Sequence, residues 1–290
     1  MTELELAVRD ERPLDAYRAV VERVLQLMRA RLHEPLALED LAAEAHLSQF
    51  HFSRVFRQVT GSPPGEFLGA LRLEAARRLL LTTGLSVTEV CYEVGYASLG
   101  TFTTRFTRQV GAPPAALRRL AAEFEPAQLE AIRRRAGQRR HQHAGATLSG
   151  RLEGVLPGRG TICAGLFPRA IPQGHPVACT HLAGPGPFRI EHVPDGDYYL
   201  LAAALPWSDD PLDYLAPGHG LLVAVGHTPL HVRGDAAVGP LQLTLRPPAP
   251  TDPPVVASLP FLLARWPAPC ELEQMCEDRK IEEAPARPLW

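Results

Sequence analysis

Apolar residues in the first 120 positions recur at helical spacing. Phe52, Val55, Phe56 and Val59 stand at positions i, i+3, i+4 and i+7, the pattern of a helix that buries one side. Residues 15–33 carry a similar stripe and predict a scaffold helix upstream. The first part of the chain is therefore predicted to be all-α.

This helical pattern occurs twice. Residues 38–47 (LEDLAAEAHL) and 87–96 (VTEVCYEVGY) align in register at an offset of 49. Past the turn the offset becomes 50, and six residues of the first copy recur in the second: Ser48, Phe52, Phe56, Gly61, Pro63 and Pro64 match Ser98, Phe102, Phe106, Gly111, Pro113 and Pro114. Each copy consists of two short helices around a tight connection, which predicts a duplicated helix-turn-helix.

Capping signals mark the ends of these helices. Ser86 and Glu89 form the S-x-x-E capping box that opens the first helix of the second copy. Ser48 and Ser98 stand where each second helix needs an N-cap. A glycine followed by a Pro-Pro pair ends each copy, as expected for a helix that stops at a left-handed residue.

Residues 64–81 (PGEFLGALRLEAARRLLL) predict the helix that connects the two copies. At about 1.5 Å per residue this helix is roughly 26 Å long. When the widths of the flanking helices are added, that length is comparable with the ~34 Å between successive major-groove faces of DNA. One chain is thus expected to engage two adjacent grooves without requiring a dimer.

After residue 145 the pattern changes to short apolar runs separated by turns. This part holds 22 of the 29 prolines, and seven of its runs are β-prone: LSGRLEG, GTICAGLF, HPVACTHL, PFRIEHV, GDYYLLAAAL, GLLVAV and GPLQLTLRP. Their spacing predicts a small antiparallel sandwich or barrel. The expected fold class is multidomain: an all-α N-terminal domain with two helix-turn-helix units on a connecting helix, and a mainly-β C-terminal sandwich.

The solvent side of the second helix in the first copy combines an aromatic residue with arginines. An exposed Phe50 beside Arg54 needs a partner, and a helix inserted in the DNA major groove provides one. Arg54 would pair with guanine, Phe50 would pack on a thymine methyl, and Arg57 would contact phosphate. The alternative is a solvated face with one stray aromatic. The candidate DNA-binding residues of this copy are Ser48, Gln49, Phe50, Ser53, Arg54 and Arg57.

The corresponding face of the second copy carries short neutral side chains, so this unit is expected to contribute register and phosphate affinity more than base discrimination. Gly100 would let the helix start approach the DNA backbone closely. The alternative is a degenerate unit that hardly touches DNA. The candidate residues here are Ser98, Gly100, Thr103 and Thr104, with Thr107 on the same face, and Arg105 and Arg108 on its flanks.

These motifs resemble a known family. Residues 15–120 resemble the DNA-binding domain of AraC/XylS transcriptional regulators through LEDLAAEAHLSQFHFSRVFRQVTGSPPGEF, LRLEAARRLL and SVTEVCYEVGYASLGTFTTRFTRQVGAPPAALRR. The resemblance implies two helix-turn-helix units that bind promoter DNA in the cytoplasm, with RNA polymerase as a protein partner. This chain departs from the family in having Gly100 and Thr104 where longer polar side chains are frequent, and in placing this domain first.

The β-prone half carries a second resemblance. The segment FRIEHVPDGDYYLLA, residues 188–202, is similar to the carboxypeptidase regulatory-like, transthyretin-related β-sandwich family. That family implies a hairpin made of a strand, a Pro-Asp-Gly turn and a second strand. The apolar segment after Leu245 is expected to pack against the sandwich or against a second chain.

Charge divides at the same boundary as the patterns. Residues 1–145 hold 20 basic and 17 acidic residues, whereas residues 146–290 hold 10 and 15, so the net charge of −2 hides a mildly basic half and an acidic one. The run from Arg133 to His143 fits either an arm along the DNA backbone or a solvated linker. The expected domains are a DNA-binding domain (15–120), a basic linker (121–147), a β-sandwich sensor or interaction domain (148–265) and a C-terminal tail (266–290).

Motifs for catalysis or cofactors are not found in the second half. Five cysteines without CxxC or close Cys/His spacing indicate reduced thiols, and scattered histidines and aspartates predict neither a metal site nor an enzyme. No cofactor is expected. The charged N-terminus and the absence of a long apolar stretch predict a cytoplasmic protein. The protein is expected to be a monomer or a homodimer, and a small-molecule effector is left open. Two alternatives for the β half remain: a catalytic or carbohydrate-binding module, and a purely structural dimerisation domain.

Overall fold

The computed structural model describes residues 14–123 and 145–257, apart from residues 211, 219, 235 and 236. Most of the expected linker and the whole expected tail lie outside these residues. The first stretch holds seven helices: α1 (Leu14–Ala30), α2 (Leu38–Glu44), α3 (Gln49–Thr60), α4 (Pro64–Thr82), α5 (Val87–Glu93), α6 (Leu99–Val110) and α7 (Pro114–Glu123). The second holds strands β1 (Ala146–Glu153), β2 (Gly160–Phe167), β3 (Ala178–Leu182), β4 (Gly186–Val193), β5 (Gly196–Pro206), β6 (Leu222–Val225), β7 (Leu230–Val232) and β8 (Val238–Thr244), with a short helix α8 (Leu212–Leu215) before β6.

The helix ends follow the predicted caps. Ser48 Oγ accepts a hydrogen bond from the amide of His51 at the start of α3, and Ser98 Oγ accepts one from Thr101 at the start of α6. At α5, Ser86 and Glu89 bond each other's backbone amides at 3.2 and 2.7 Å, as a capping box requires. The C-terminal glycines of α3 and α6 are both left-handed. Local sequence therefore sets these boundaries.

The turn inside each helix pair uses a left-handed residue. His46 fills this position between α2 and α3 with φ 54°, and Gly95 fills it between α5 and α6 with φ 82°. A Cβ on Gly95 would lie 2.5 Å from the carbonyl oxygen of Leu32, at the end of the α1 region. Glycine is thus required in the second turn for space as well as for conformation.

Aromatic residues join the helices into one core. Phe52 and Phe56 of α3 stack edge to face, and Phe56 meets Phe67 of α4 with ring centroids 5.6 Å apart. Phe102 and Phe106 repeat the pair on α6 with centroids 5.5 Å apart. Because the aromatic pair of each helix is buried, the opposite sides of α3 and α6 face solvent.

Two arginines tie successive helices together. Arg72 of α4 donates to the carbonyls of Leu32 and Glu34, and burial lowers the pKa of its guanidinium. Arg118 of α7 donates to the carbonyl of Leu80 at 2.9 Å and also to that of Leu85. Each arginine therefore holds the carbonyl groups just before one helix pair.

The β half contains two sheets. One has three strands in the order β4-β1-β8, and the other has β3-β2-β5-β6 with β7 paired to β5. Leu148 and Ile190 of the first sheet share a single buried cluster with Ile162 and Leu166 of the second. The core of this half thus lies between the two sheets.

Two details of this topology differ from the sequence-based expectation. β1 pairs with β8 in parallel, so the half is not purely antiparallel. The predicted hairpin across Pro194 and Asp195 is wrong, because β4 pairs with β1 in one sheet whereas β5 pairs with β2 in the other. The turn connects one sheet to the other. Turn residues alone do not distinguish such a connection from a hairpin within one sheet.

Two segments of the β half pack on the helices. The β2–β3 loop (residues 168–177) contributes Ile171, and the closing segment (residues 249–257) contributes Val256, to the buried core of the helical half. Arg246 and Asp252 form a two-pronged ion pair at 2.5 and 2.7 Å that shapes the start of the closing segment. The described part of the apolar segment after Leu245 therefore contacts both halves. Ala257 packs with Phe167 and Leu201 of the second sheet, as expected. Val256 packs in the helical core, which the sequence did not predict.

Candidate nucleic-acid interface

Helix α3 presents the surface predicted for the first copy. Phe52, Val55 and Phe56 are at most 1% exposed, whereas Phe50 is 84% exposed. Arg54 and Arg57 are exposed as well, and Ser53 is partly buried beside them. The structure thus brings the predicted residues to one side of α3. An apolar ring held in water beside two guanidiniums is suited to a ligand with both apolar and anionic groups.

The two residues at the start of α3 have internal partners. Ser48 is occupied as the N-cap of the helix, and the amide of Gln49 donates to the carboxylate of Glu39 on α2 at 3.0 Å. The sequence did not reveal this second bond because it joins residues on different helices. A contact from Gln49 to DNA would have to replace it.

Helix α6 presents a surface with smaller side chains and no exposed aromatic residue, but also with two arginines. Thr104, Arg105 and Arg108 are exposed, and Gly100 leaves the first turn open. Thr107 is partly buried, and its hydroxyl donates to the carbonyl of Thr103 at 2.8 Å. This internal bond makes Thr107 a weaker candidate contact than the exposed residues of the same face.

Arg105 also reaches the turn that precedes α6. Its guanidinium lies close enough to the Tyr96 hydroxyl to influence the pKa of that group. Burial raises the pKa of Tyr96, although the nearby guanidinium opposes that effect. The phenol is therefore neutral at physiological pH and can steady Arg105 by a hydrogen bond.

Helix α4 holds the two pairs at a fixed separation. Its 19 residues correspond to about 28 Å at about 1.5 Å rise per residue. Arg77, at helical spacing from Leu73 and Leu80, is 2% exposed, and burial lowers the pKa of its guanidinium to about 10. The sequence contained a signal for this residue, an arginine within an apolar stripe, but gave no indication of its partner.

The β half contains candidate chemistry that the sequence did not bring together. Cys163 Sγ lies 3.4 Å from His181 Nδ1 on the adjacent strand, so a close Cys/His pair does exist. Burial raises the pKa of Cys163 to about 12, with a smaller effect from Cys179, so the thiol remains protonated. A protonated buried thiol is a poor nucleophile and a poor metal ligand.

A second pair, His231 and Asp197, is exposed. Its Nδ1 to Oδ1 distance is 2.8 Å, and the hydrogen bond from His231 lowers the pKa of the Asp197 carboxyl, with Arg233 adding to the effect.

Among the residues that the structure describes, no group of three His, Cys, Asp or Glu side chains is placed to hold a metal ion. In the same residues, no helix combines the length and apolar character needed to cross a membrane.

Comparisons with known proteins match the helical half. Residues 41–120 match the family model of a helix-turn-helix domain. The "Right origin-binding protein" of Escherichia coli (strain K12) is 31% identical over 100 residues, which cover 34% of this chain and 35% of that protein. The "HTH-type transcriptional activator AarP" of Providencia stuartii is 29% identical over 100 residues, which cover 34% of this chain and 74% of that protein.

The solved structures cover the same part of the chain. One of them is the DNA-binding domain of AdpA, a global transcriptional factor, in complex with a target DNA. It is 38% identical to this chain, and the match covers 36% of this chain and 94% of the AdpA chain, with a TM-score of 0.35. The chain spans about a third of the length of several of the curated relatives it matches. The similarity to known proteins thus lies in the helical half, and the match to the helix-turn-helix family model ends at residue 120.

Proposed function

We propose that this protein is a sequence-specific, DNA-binding transcriptional regulator. The observation that carries the proposal is the solvent side of α3, where an 84% exposed Phe50 lies with Arg54 and Arg57 opposite a fully buried face. The similarity of residues 41–120 to helix-turn-helix regulators supports it. A major groove offers both the thymine methyl groups and the guanine acceptors that such a surface would recognise.

In this proposal each helix pair is one helix-turn-helix unit. Helix α3 enters one major groove, with Arg54 on guanine and Phe50 on a thymine methyl, and α6 enters the next groove. Thr104, Arg105 and Arg108 of α6 act mainly on phosphates, because the α6 positions that match Phe50 and Arg54 hold the short Gly100 and Thr104. Helix α4 keeps the two units in register for a target of about two turns.

The β half serves as the regulatory part of the same chain. We assign residues 15–120 to the DNA-binding domain, 121–147 to a basic linker, 148–265 to a β-sandwich sensor or interaction domain, and 266–290 to a tail. The contacts of Ile171 and Val256 with the helical core support a mechanical connection between the two functions. RNA polymerase is the expected protein partner of the DNA-bound form.

The test is a comparison of specific and nonspecific duplexes. Selection from a random duplex library with the full chain should enrich an asymmetric site of about two turns. Fluorescence anisotropy should then show at least about 10³-fold tighter binding to that site than to a scrambled duplex at physiological salt. Equal affinity for the two duplexes would contradict specific regulation.

A further inference from the structure

A cleft of about 770 Å³ lies where the helical half meets the β2–β3 loop. One wall is formed by α4 and α6, and the other by residues 167–175. Its volume falls within the range of small-molecule sites in proteins, which is ~300–1,000 Å³. The cleft therefore has room for an organic ligand that would contact both halves of the chain.

The charges that line this cleft favour an anion. Arg105 and Arg108 come from α6, and Arg169 comes from the β2–β3 loop. Glu66 is the only carboxylate among the described lining residues, and its Oε1 lies 3.4 Å from Arg169 Nη1. Three guanidiniums against one carboxylate leave an excess of two positive charges, counting histidine as neutral. Arginine suits phosphate and carboxylate groups because its donors match their paired oxygens.

Neutral donors and apolar atoms complete the lining. Gln109, Gln173 and Tyr96 offer amide and hydroxyl groups, and the exposed Pro168 offers carbon surface. Phe167 and Ile171 also belong to the lining. Phe167 and Ile171 are 2% and 1% exposed, so they are held firmly by the cores around them. The combination is suited to an organic molecule with an acidic end, more than to a bare inorganic ion.

Backbone contacts hold the loop wall in place. The amide of Gly174 donates to the carbonyl of Gln109 at 2.6 Å, and the amide of Ala257 donates to the carbonyl of Pro172 at 3.2 Å. The side chain of Ile171 is anchored in the helical core. A wall fixed at three points loses little freedom when a ligand binds, which lowers the entropic cost of binding.

We propose that this cleft binds a small organic dianion, a phosphate monoester or a dicarboxylate, between the guanidiniums of Arg105, Arg108 and Arg169. Binding in itself does not depend on the function proposed above. Its regulatory effect rests on that function: Arg105 and Arg108 are also proposed phosphate contacts of α6, so a bound dianion competes with DNA for them. The ligand is then an effector that weakens binding through the second helix pair.

The binding step is tested with the full chain in the absence of DNA. Glucose 6-phosphate and 2-oxoglutarate, each titrated at constant ionic strength in a calorimeter, distinguish the phosphate from the dicarboxylate. At least one should bind with a stoichiometry of one per chain. Arg169→Gln should weaken that binding about tenfold or more, because a charged hydrogen bond is lost. Arg169 is exposed on the β half and lies outside the proposed DNA-reading residues, so this variant isolates the cleft.

The matched control is Arg151→Gln, which removes an exposed arginine from β1 outside the cleft. It should bind the probe with unchanged affinity, and Arg169→Lys should retain more affinity than Arg169→Gln. The proposal is overturned when neither probe binds the wild-type chain, or when Arg169→Gln and Arg151→Gln bind equally well.

The regulatory step has its own measurement. A saturating concentration of the probe that binds should lower the affinity of the wild-type chain for the selected duplex about tenfold. The same concentration should have little effect on the DNA affinity of Arg169→Gln. An unchanged DNA affinity with the probe bound would overturn the competition. Failure of specific DNA binding under every condition contradicts the function proposed above and leaves the calorimetric result standing, so the two failures are distinguishable.

Discussion

The guanidinium of Arg77 donates a hydrogen bond from Nη1 to the carbonyl oxygen of Val256, 3.0 Å away. These residues are 179 positions apart, one in the C-terminal half of the connecting helix α4 and the other in the closing segment of the β half. Both are buried, and Val256 is part of the helical core. The β half thus supplies a partner for a buried cation of the helical half.

Arg77→Ala should destabilise the whole chain. The substitution removes a side chain from a closely packed site and leaves the carbonyl of Val256 without this donor, which together should cost about 2–4 kcal/mol of unfolding free energy. Urea unfolding followed by circular dichroism measures the loss. The neighbouring Arg78→Ala is the control, because Arg78 is exposed and should change stability by less than about 0.5 kcal/mol. Equal effects of the two variants would mean that the buried contact is not stabilising.

Gly174→Ala should loosen the β2–β3 loop from α6. Gly174 has φ 62°, and a Cβ there would lie 2.9 Å from the carbonyl oxygen of Arg108. Strain of this kind costs about 1–3 kcal/mol, which we expect to appear as faster hydrogen exchange at the Gly174 amide and in neighbouring loop residues. Gly184→Ala is the matched control, since a Cβ at Gly184 meets no atom within 4 Å. Unchanged exchange in Gly174→Ala would show that the loop adapts without losing its contact.

Arg54→Ala should reduce sequence discrimination. If Arg54 pairs with guanine, its loss costs about 1–3 kcal/mol on the selected duplex and relaxes the preference at one base pair. A panel of single-base substitutions in that duplex, measured by anisotropy, locates the affected position. Arg151→Ala on β1 should leave every affinity unchanged. A loss spread equally over all duplexes would place Arg54 on the phosphate backbone instead.

Arg108→Ala should act without regard to sequence. A lost phosphate contact weakens specific and scrambled duplexes alike and reduces the slope of log K against log salt by about 1. The same anisotropy titrations at several salt concentrations provide this slope. A change confined to the selected duplex would contradict the backbone role proposed for α6.

Cys163 should resist alkylation although a histidine lies beside it. Its pKa is raised to about 12 by burial, so the reactive thiolate is scarce at any pH well below that value and increases only as the pH approaches it. Iodoacetamide at about pH 8, followed by peptide mass spectrometry, should modify the partly exposed Cys179 faster than Cys163. Faster modification of Cys163 would instead favour a catalytic β half.

Local sequence signals predicted the helices well. Residues 64–81 were predicted to form a helix that the structure places at Pro64–Thr82, and the capping box of Ser86 and Glu89 lies where its sequence indicates. These features depend on residues within a few positions of one another. The exposed side of α3 followed for the same reason, because helical periodicity alone separates Phe50 from the buried Phe52.

The pairing of the strands was harder to predict from the sequence than the positions of the helices. The resemblance of residues 188–202 to a β-sandwich family implied a hairpin around a Pro-Asp-Gly turn, yet the turn joins two different sheets. A short turn fits a hairpin and a corner between packed sheets equally well, and the choice depends on which strands are free to pair elsewhere. The parallel partnership of β1 with β8 is decided in the same way, by residues about 90 positions apart.

The sequence by itself determined two similar pairs of capped helices and the exposed faces of α3 and α6, since periodicity and capping act over one or two turns. Only the tertiary structure decided that Val256 meets Arg77 and that the β2–β3 loop forms a cleft with α6. Those contacts join segments that have no common pattern in the sequence. They form because burying Ile171 and Val256 in the helical core removes apolar surface from water, and that driving force has no preference for a particular partner along the chain.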